Sequence, residues 1–268
     1  MALTDAIRSA ARGGPPAVGT FVMEFATPGV GALAAAAGVD FIFFDQQHTG
    51  WSLGALAPSL WACQAAAIPA GLRVPAPVPW MIGAALDAGA SMIMVPAVDD
   101  AATAAAIVRA VRYPPEGERA LTFGVASDRY RPPADPGVEM RKRNAEALVF
   151  VQIETAAGLS DVEGIAAVDG IDVLWVGDND LAAALGIPGE FGHSRYLAAL
   201  DRVAEAAAGA GIAAGFTTAD PRTAEDMLRR GYRILCCGND IKLFHHALQT
   251  GVTAFRRAAD ARISQLAQ

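Results

Sequence analysis

Hydrophobic positions along the chain fall into two alternating kinds of segment. One kind is short and mostly apolar: "VGTFVMEFA" (18–26), "FIFFDQQ" (41–47), "AGLRV" (70–74), "SMIMVPAV" (91–98), "ALVFVQIET" (147–155), "DVLWVGDND" (172–180), "IAAGFTT" (212–218) and "RILCCGND" (233–240). Continuous apolar runs, rather than apolar–polar alternation, are what parallel strands covered on both faces require. The other kind is longer, Ala-rich and spaced at helical period, over about 28–38, 53–67, 79–89, 99–111, 156–167, 195–210, 219–230 and 240–265. Gly38, Gly89, Gly211 and Gly231 each close one of these segments shortly before the next strand. Eight strand-then-helix units predict an α/β fold, a single-domain (β/α)8 TIM barrel over residues 1–268. A doubly wound open sheet is the competing fold. It would want G-x-G-x-x-G after its first strand, and "EFATPGVGALAAA" has none.

One connection is too long for a barrel turn. Residues 112–146 separate the fourth helix from the fifth strand, and loops beyond about 12–15 residues are usually functional or mobile. The Pro pairs in this stretch predict a folded-over excursion with a short helix near 135–146, lying over the active face or against another subunit.

Composition removes several function classes. A chain of 268 residues, 53% hydrophobic and only 18% charged, is not disordered. No apolar run reaches about 18 residues uninterrupted, so no membrane span is expected. The stretch "MALTDAIRSAARGG" carries an Asp and lacks the apolar core of a secretory signal, so the expected compartment is the cytoplasm. A net charge of −7, without a Lys/Arg cluster able to follow a phosphate backbone, argues against nucleic acid. "MRKRN" at 140–144 reads as a solvated helix face. Cys63, Cys236 and Cys237 read as small hydrophobes rather than metal ligands or a disulfide.

The polar residues gather at one end. In barrels of this class the active site forms at the C-terminal ends of the strands. There the chain places Asp45, Gln47 and His48 after strand two, Arg73 after strand three, and Gln152 with Glu154 on strand five. Asp178, Asn179 and Asp180 end strand six, and Asn239 and Asp240 end strand eight. Gln152 and Glu154, two apart, point to the same side of their strand, and an inward pair is costly without partners. A cation answers that cost: Glu154 and Asp180, from adjacent strands, can hold one Mg²⁺-like hard ion and leave its other positions to water and substrate. Zn²⁺ suits the chain less, because no Cys/His cluster has the spacing. Arg73 offers a fork to a carboxylate or an enolate oxygen, and Asp45 can orient and charge-support His48 as a general base needs. His193 lies on a loop, and His245 and His246 in the last helix read as a packing or solvated pair. Asp87, in "LDAGA", reads first as the polar end of a helix and second as a support behind the site.

Seven segments, "GVDFIFFDQQH", "LRVP", "LDAGASMIMVPAV", "VRYPPEG", "VFVQIET", "VGDNDLA" and "GNDIKLF", occur in an order and at separations that form a specific pattern. With them, from about residue 18 to 250, the chain resembles the HpcH/HpaI aldolase family, class II pyruvate aldolases of the phosphoenolpyruvate/pyruvate barrel superfamily. The resemblance implies a divalent metal (Mg, Mn or Co) on Glu154 and Asp180. It implies Arg73, Gln152, Gly177, Asn179 and Asp180 around a pyruvate unit, with Asp45 and His48 as the acid/base pair. Gln47, Asp87 and Asp178 would support these from behind. The implied reaction is the reversible cleavage of a 4-hydroxy-2-oxo acid, such as a sugar-acid derivative, to pyruvate or hydroxypyruvate plus an aldehyde. The family is commonly hexameric, built from dimers that exchange the last helix, here 240–265. A Schiff-base route would need a buried Lys, and only Lys142, in the excursion, and Lys242, in the last helix, exist.

The chain departs from the family pattern in three places. The acid of D-x-E-H is Gln47, G-P-x-D-L is "GDNDL" with Asp178 as an extra carboxylate, and Phe123 stands where small residues are usual. Two competing readings follow. A CoA-thioester lyase of the citrate-lyase β type would want Arg129, Arg131 and Arg141 near the rim. A non-catalytic oligomeric 2-oxo-acid-binding relative is invited by Gln47.

Overall fold

All eight predicted strands form, and each pairs in parallel with its sequence neighbours until the last closes on the first. The structure, a computed structural model, describes residues 4–266. The strands are β1 (Ala17–Val22), β2 (Phe41–Asp45), β3 (Ala70–Arg73), β4 (Met92–Val95), β5 (Leu148–Ile153), β6 (Val173–Val176), β7 (Ala213–Thr217) and β8 (Ile234–Asn239). Around them run α1 (Asp5–Ala11), α2 (Val30–Ala36), α3 (Leu53–Ala65), α4 (Pro79–Asp87), α5 (Ala101–Val111) and α6 (Pro136–Glu146). The helices continue with α7 (Ala156–Ser160), α8 (Val162–Ala166), α9 (Asp178–Ala184), α10 (Ser194–Ala210), α11 (Pro221–Arg229) and α12 (Asp240–Leu266). Side chains of Ser52, Asp100, Asp135, Thr155 and Asp220 accept first-turn N–H groups and fix where α3, α5, α6, α7 and α11 begin. At the other end, Gly211 leaves α10 at a φ of +72°, which an L side chain rarely adopts.

The period of two along each strand sorts the core. Phe41 and Phe43 point into the barrel with Phe21, Met92, Met94, Phe150, Trp175 and Cys236. Ile42 and Phe44 point outward, into the layer shared with Leu56 and Leu60 of α3. Room for the interior rings comes from glycine: Gly19 lies against Phe41, Gly71 against Phe43, and Gly215 against Trp175, each so closely that a Cβ would overlap the ring. One step above these rings, the same parity turns Asp45 and Arg73 inward, paired across β2 and β3.

The structure differs from the sequence reading in four respects. Strand six stops at Val176, and Asp178–Asp180 open α9 instead of continuing the strand. The helix expected over 156–167 breaks at Asp161, whose carboxylate accepts the Ala101 N–H at 2.8 Å. α1 was not expected; it buries Ile7 and Ala10 against the interior cluster. The fourth difference is the place of the excursion.

Its helix α6 forms as expected, but the excursion does not lie over the rim of this chain. α5 descends to the N-terminal end of the barrel, and residues 112–146 stay there. Arg112 Nη1 donates to the Ala147 carbonyl at 2.9 Å, and Arg119 Nη2 reaches Asp87 at 2.6 Å. Phe123 packs under the Arg143 guanidinium, 5.6 Å from its ring centre, and not at the site end. Among the described residues, no helix is long and apolar enough to cross a membrane. α12 has no buried residue over its 27 positions and exposes Phe244, Leu248 and Phe255.

Candidate active site

A cavity of about 210 Å³ opens at the C-terminal end of the strands, and His48, Arg73, Gln152, Glu154, Gly177, Asp178, Asn179 and Asp180 all line it. Inward parity on β3 and β5 brings Arg73, Gln152 and Glu154 together, the turn after β2 adds His48, and the start of α9 brings the acids after β6. Asp45 lies just behind this wall, fully buried.

Asp45 is the acceptor around which one side of the site is built. Its Oδ1 takes the Arg73 Nε–H at 2.7 Å and the Gln47 backbone N–H at 3.0 Å. Its Oδ2 takes the His48 backbone N–H at 3.2 Å. The carboxylate therefore shapes the turn after β2 and anchors Arg73, and it does not bond the His48 ring as the sequence reading expected. The reason is local: a turn that follows an acid directly turns its own N–H groups onto that acid. His48 is positioned through its backbone, with its side chain exposed at the cavity. Arg73 packs over the Phe21 ring at 5.1 Å, and its Nη groups have no protein partner among the described residues.

Across the cavity, Gln152 and Glu154 do share a side of β5: Gln152 Nε2 donates to Glu154 Oε2 at 3.1 Å. The other oxygen, Glu154 Oε1, accepts from the Ala97 N–H at 2.8 Å. Ala97 has a φ of +50°, left-handed backbone that costs an L residue about 1–3 kcal/mol, so the loop after β4 holds strain to aim that donor. Burial pushes the Glu154 carboxyl up; the Ala97 bond opposes this, Asp180 adds to it, and Arg73 opposes it. Gln152 Oε1 is buried with no partner, and a side chain at Gly177 would overlap Glu154 Oε2. Asp178 is also pushed up, chiefly by burial, although Asn179 and Lys242 counter the shift. Gln47 Oε1 is buried without a partner, so its amide has an acceptor to spare.

Asp87 is not behind this site. It ends α4 at the opposite end of the barrel, bonded to Arg119, because a helix following a strand returns toward the strand's N-terminal end. Several residues were missed. Thr217, at the inward top of β7, continues the parity of Ala213 and Gly215 and could have been found that way. Met23 and Lys242 also line the cavity, and Ala97 supplies a backbone donor that no side-chain pattern reveals.

Residues 20–247 match the family described as HpcH/HpaI aldolase/citrate lyase. The chain belongs to this family. Among HpcH/HpaI-type relatives, it is 37% identical over 211 residues to a hydroxypyruvate/pyruvate aldolase from Paraburkholderia phytofirmans, covering 76% of this chain and 80% of that one. A 4-hydroxy-2-oxovalerate aldolase from Novosphingobium aromaticivorans is 35% identical over 262 residues, 96% of this chain and 97% of its own. The crystal structure of an HpcH/HpaI aldolase/citrate lyase family protein from Burkholderia cenocepacia J2315 superposes with a TM-score of 0.86 at 32% identity, covering 94% of this chain and all of that one. The HpcH/HpaI barrel thus accounts for the fold.

Proposed function

We propose that the protein is a divalent-metal-dependent aldolase that reversibly cleaves a 4-hydroxy-2-oxo acid to pyruvate or hydroxypyruvate plus an aldehyde. Family membership and the aldolases among its relatives make it a carbon–carbon lyase. The observation that carries the fuller reading is the pairing of Glu154 and Asp180 beside an unmet Gln152 oxygen, opposite an arginine fixed on a buried acid.

These residues fit a cation. A buried carboxyl raised by desolvation and by a second acid is a site short of positive charge. Gly177 leaves the space beside Glu154 Oε2 open. Among the described residues, no three His, Cys, Asp or Glu side chains stand close enough to hold one ion, so two carboxylates with water and substrate oxygens suit Mg²⁺, Mn²⁺ or Co²⁺ better than Zn²⁺. A bound ion of this kind supplies Lewis acidity where enolate charge develops. The chain's own residues do the rest. Arg73 offers its free Nη groups to the carboxylate and the developing enolate. Gln152, Gly177 and Asn179 shape the pyruvate end. His48 takes the C4-hydroxyl proton, the C3–C4 electrons move onto the pyruvate unit, and the aldehyde leaves.

The test is exchange of the pyruvate methyl protons in D₂O, followed by NMR. Chelation with EDTA should abolish exchange, and Mg²⁺, Mn²⁺ or Co²⁺ should restore it. Exchange that survives chelation, or a borohydride-trapped pyruvate adduct on Lys242, would overturn the reading. His48→Ala should lower kcat with metal affinity kept, while Glu154→Ala and Asp180→Ala should lose the metal. A CoA-thioester lyase has less support, because Arg129 and Arg131 line a cavity at the opposite end of the barrel. A binding-only relative would take up pyruvate without exchanging it.

We further infer a homo-oligomer, a hexamer built as a trimer of dimers that exchange α12. The support is the apolar surface of that helix, which has no cover within the chain. Three free cysteines support a reducing, cytoplasmic setting.

A further inference from the structure

Among the described residues, four other than glycine have left-handed backbone: Ala67, Ala97, Arg129 and Tyr130. Ala97 alone of these stands at the C-terminal end of the strands, in the loop after β4. An L residue adopts this conformation only where its surroundings impose it. The Ala97 side chain is not the reason, because the residue is exposed and belongs to neither core cluster.

The chain is tied down on both sides of it. Before it, Val95 pairs with Val151 of β5. After it, Val98 donates its N–H to the Gln152 carbonyl at 3.2 Å, and the Val98 carbonyl lies so close to Gly158 that a Cβ there would overlap it. Asp99 accepts from the Thr155 hydroxyl at 2.5 Å, and the same hydroxyl oxygen accepts the Gly158 N–H at 2.9 Å. Between these ties the backbone turns left-handed, and what the turn delivers is one N–H, 2.8 Å from Glu154 Oε1. The two Glu154 oxygens therefore face different partners. Oε1 ends on Ala97, while Oε2 takes Gln152 Nε2 at 3.1 Å and faces Gly177, the residue before α9 and its Asp180. A carboxylate that grips an ion through both oxygens must turn both toward it. Ca²⁺, with six to eight oxygen ligands, often takes carboxylates that way, whereas Mg²⁺ and Mn²⁺ hold to six and accept one oxygen from each.

Resting on the metal-dependent reading, we propose that Ala97 is a positioning residue: its N–H holds Glu154 Oε1, leaves Oε2 as the single oxygen for the ion, and so favours a six-coordinate ion over Ca²⁺. The selecting group is a backbone donor, and the strained turn is what keeps it in place.

Backbone esters test this. Lactic acid in place of Ala97 removes the N–H and keeps the methyl group. The corresponding hydroxy acid at Val98 removes the neighbouring N–H, which serves only the Gln152 carbonyl. Mn²⁺ binding is followed by its EPR signal, and Ca²⁺ binding by competition against it. Loss of the Ala97 N–H should reduce the ratio of the Ca²⁺ Kd to the Mn²⁺ Kd about 10-fold, the lower end of what outer contacts to a metal ligand contribute. The Val98 ester should lower Tm yet keep the ratio. Ala97→Gly, which keeps the N–H and suits left-handed backbone, should also keep it. A ratio unchanged in the Ala97 ester, or reduced as much in the Val98 ester or in Ala97→Gly, would overturn the assignment. A second readout needs no metal. In metal-free protein the Ala97 amide proton should exchange slowly by NMR although its residue is exposed, and Glu154→Ala should release it. Fast exchange in wild type, or slow exchange in both, would also overturn the assignment. If neither ion binds wild type while that protection stands and depends on Glu154, the metal reading fails, and the selectivity with it, while the hold on Glu154 remains.

Discussion

Truncating Asp45 to alanine tests the organisation of the site most directly. The side chain is fully buried, and its partner Arg73 keeps only 12% of its side-chain surface in water. Removing one member of such a pair leaves the other uncompensated, which costs about 3–5 kcal/mol. For a chain of 268 residues, that corresponds to a fall in Tm of about 5–9 °C. Thermal unfolding should be followed by circular dichroism at one protein concentration, because association shifts Tm by mass action. Asp45→Asn, which keeps an acceptor oxygen, should lose less. Double-mutant cycles then separate the two roles of the acid. Coupling between Asp45→Ala and Arg73→Ala should fall within about 0.5–3 kcal/mol, whereas Asp45→Ala and His48→Ala should add to within about 0.5 kcal/mol. The second expectation follows because the acid bonds only the histidine's backbone. A loss below about 1 kcal/mol for Asp45→Ala, or stronger coupling to His48 than to Arg73, would refute the clamp.

Three further outcomes can be checked on the same preparations. Gly71→Ala forces a Cβ into the Phe43 ring and should cost about 1–3 kcal/mol in chemical denaturation, with Phe43→Leu in the same chain recovering part of the loss. Burial pushes the Cys63 thiol up to about 12 and Cys236 well above its ordinary value. Ellman's reagent should therefore reach at most the half-buried Cys237 in the native protein and all three cysteines after unfolding. The same shift makes the folded state hold the Cys63 proton longer than the unfolded chain, so stability is lost as pH rises from 9 toward about 12, and Cys63→Ala should flatten that loss. Asp87→Asn should lower Tm, because Arg119 keeps only 3% of its side chain exposed, yet leave kcat/KM per folded molecule unchanged; a selective loss of activity would return Asp87 to the site.

Much of this was legible in the chain itself. The strands were, because residues such as Phe41–Phe44 are buried on both sides and leave no polar interruption. The shared side of Gln152 and Glu154 followed from the period of two alone. What escaped depended on contacts between distant segments. Nothing in "DRYRPPAD" says which end of the barrel it occupies; that is settled by where α5 delivers the chain. The adjacency of Asp45 and His48 suggested a ring contact, but register set Arg73 opposite the acid and turn geometry took the rest of its lone pairs. Lys242 looked remote in a last helix, until Asp240 pinned that helix's first turn to the loop leaving β1.

The glycine and ring pairs inside the barrel also bear on how such sequences diverge. Gly19 with Phe41, Gly71 with Phe43, and Gly215 with Trp175 each divide one fixed volume between two positions. Neither position can drift alone: a larger residue at the glycine demands a smaller one at the ring, and an atrophied ring leaves a void that its neighbour can fill. Across a deep set of homologues these positions should therefore vary as three linked columns, each pair conserving its summed size while the individual residues change. Asp45 and Arg73 sit one layer above, so the same covariation would show how strongly the aromatic floor constrains the acids and bases built on it.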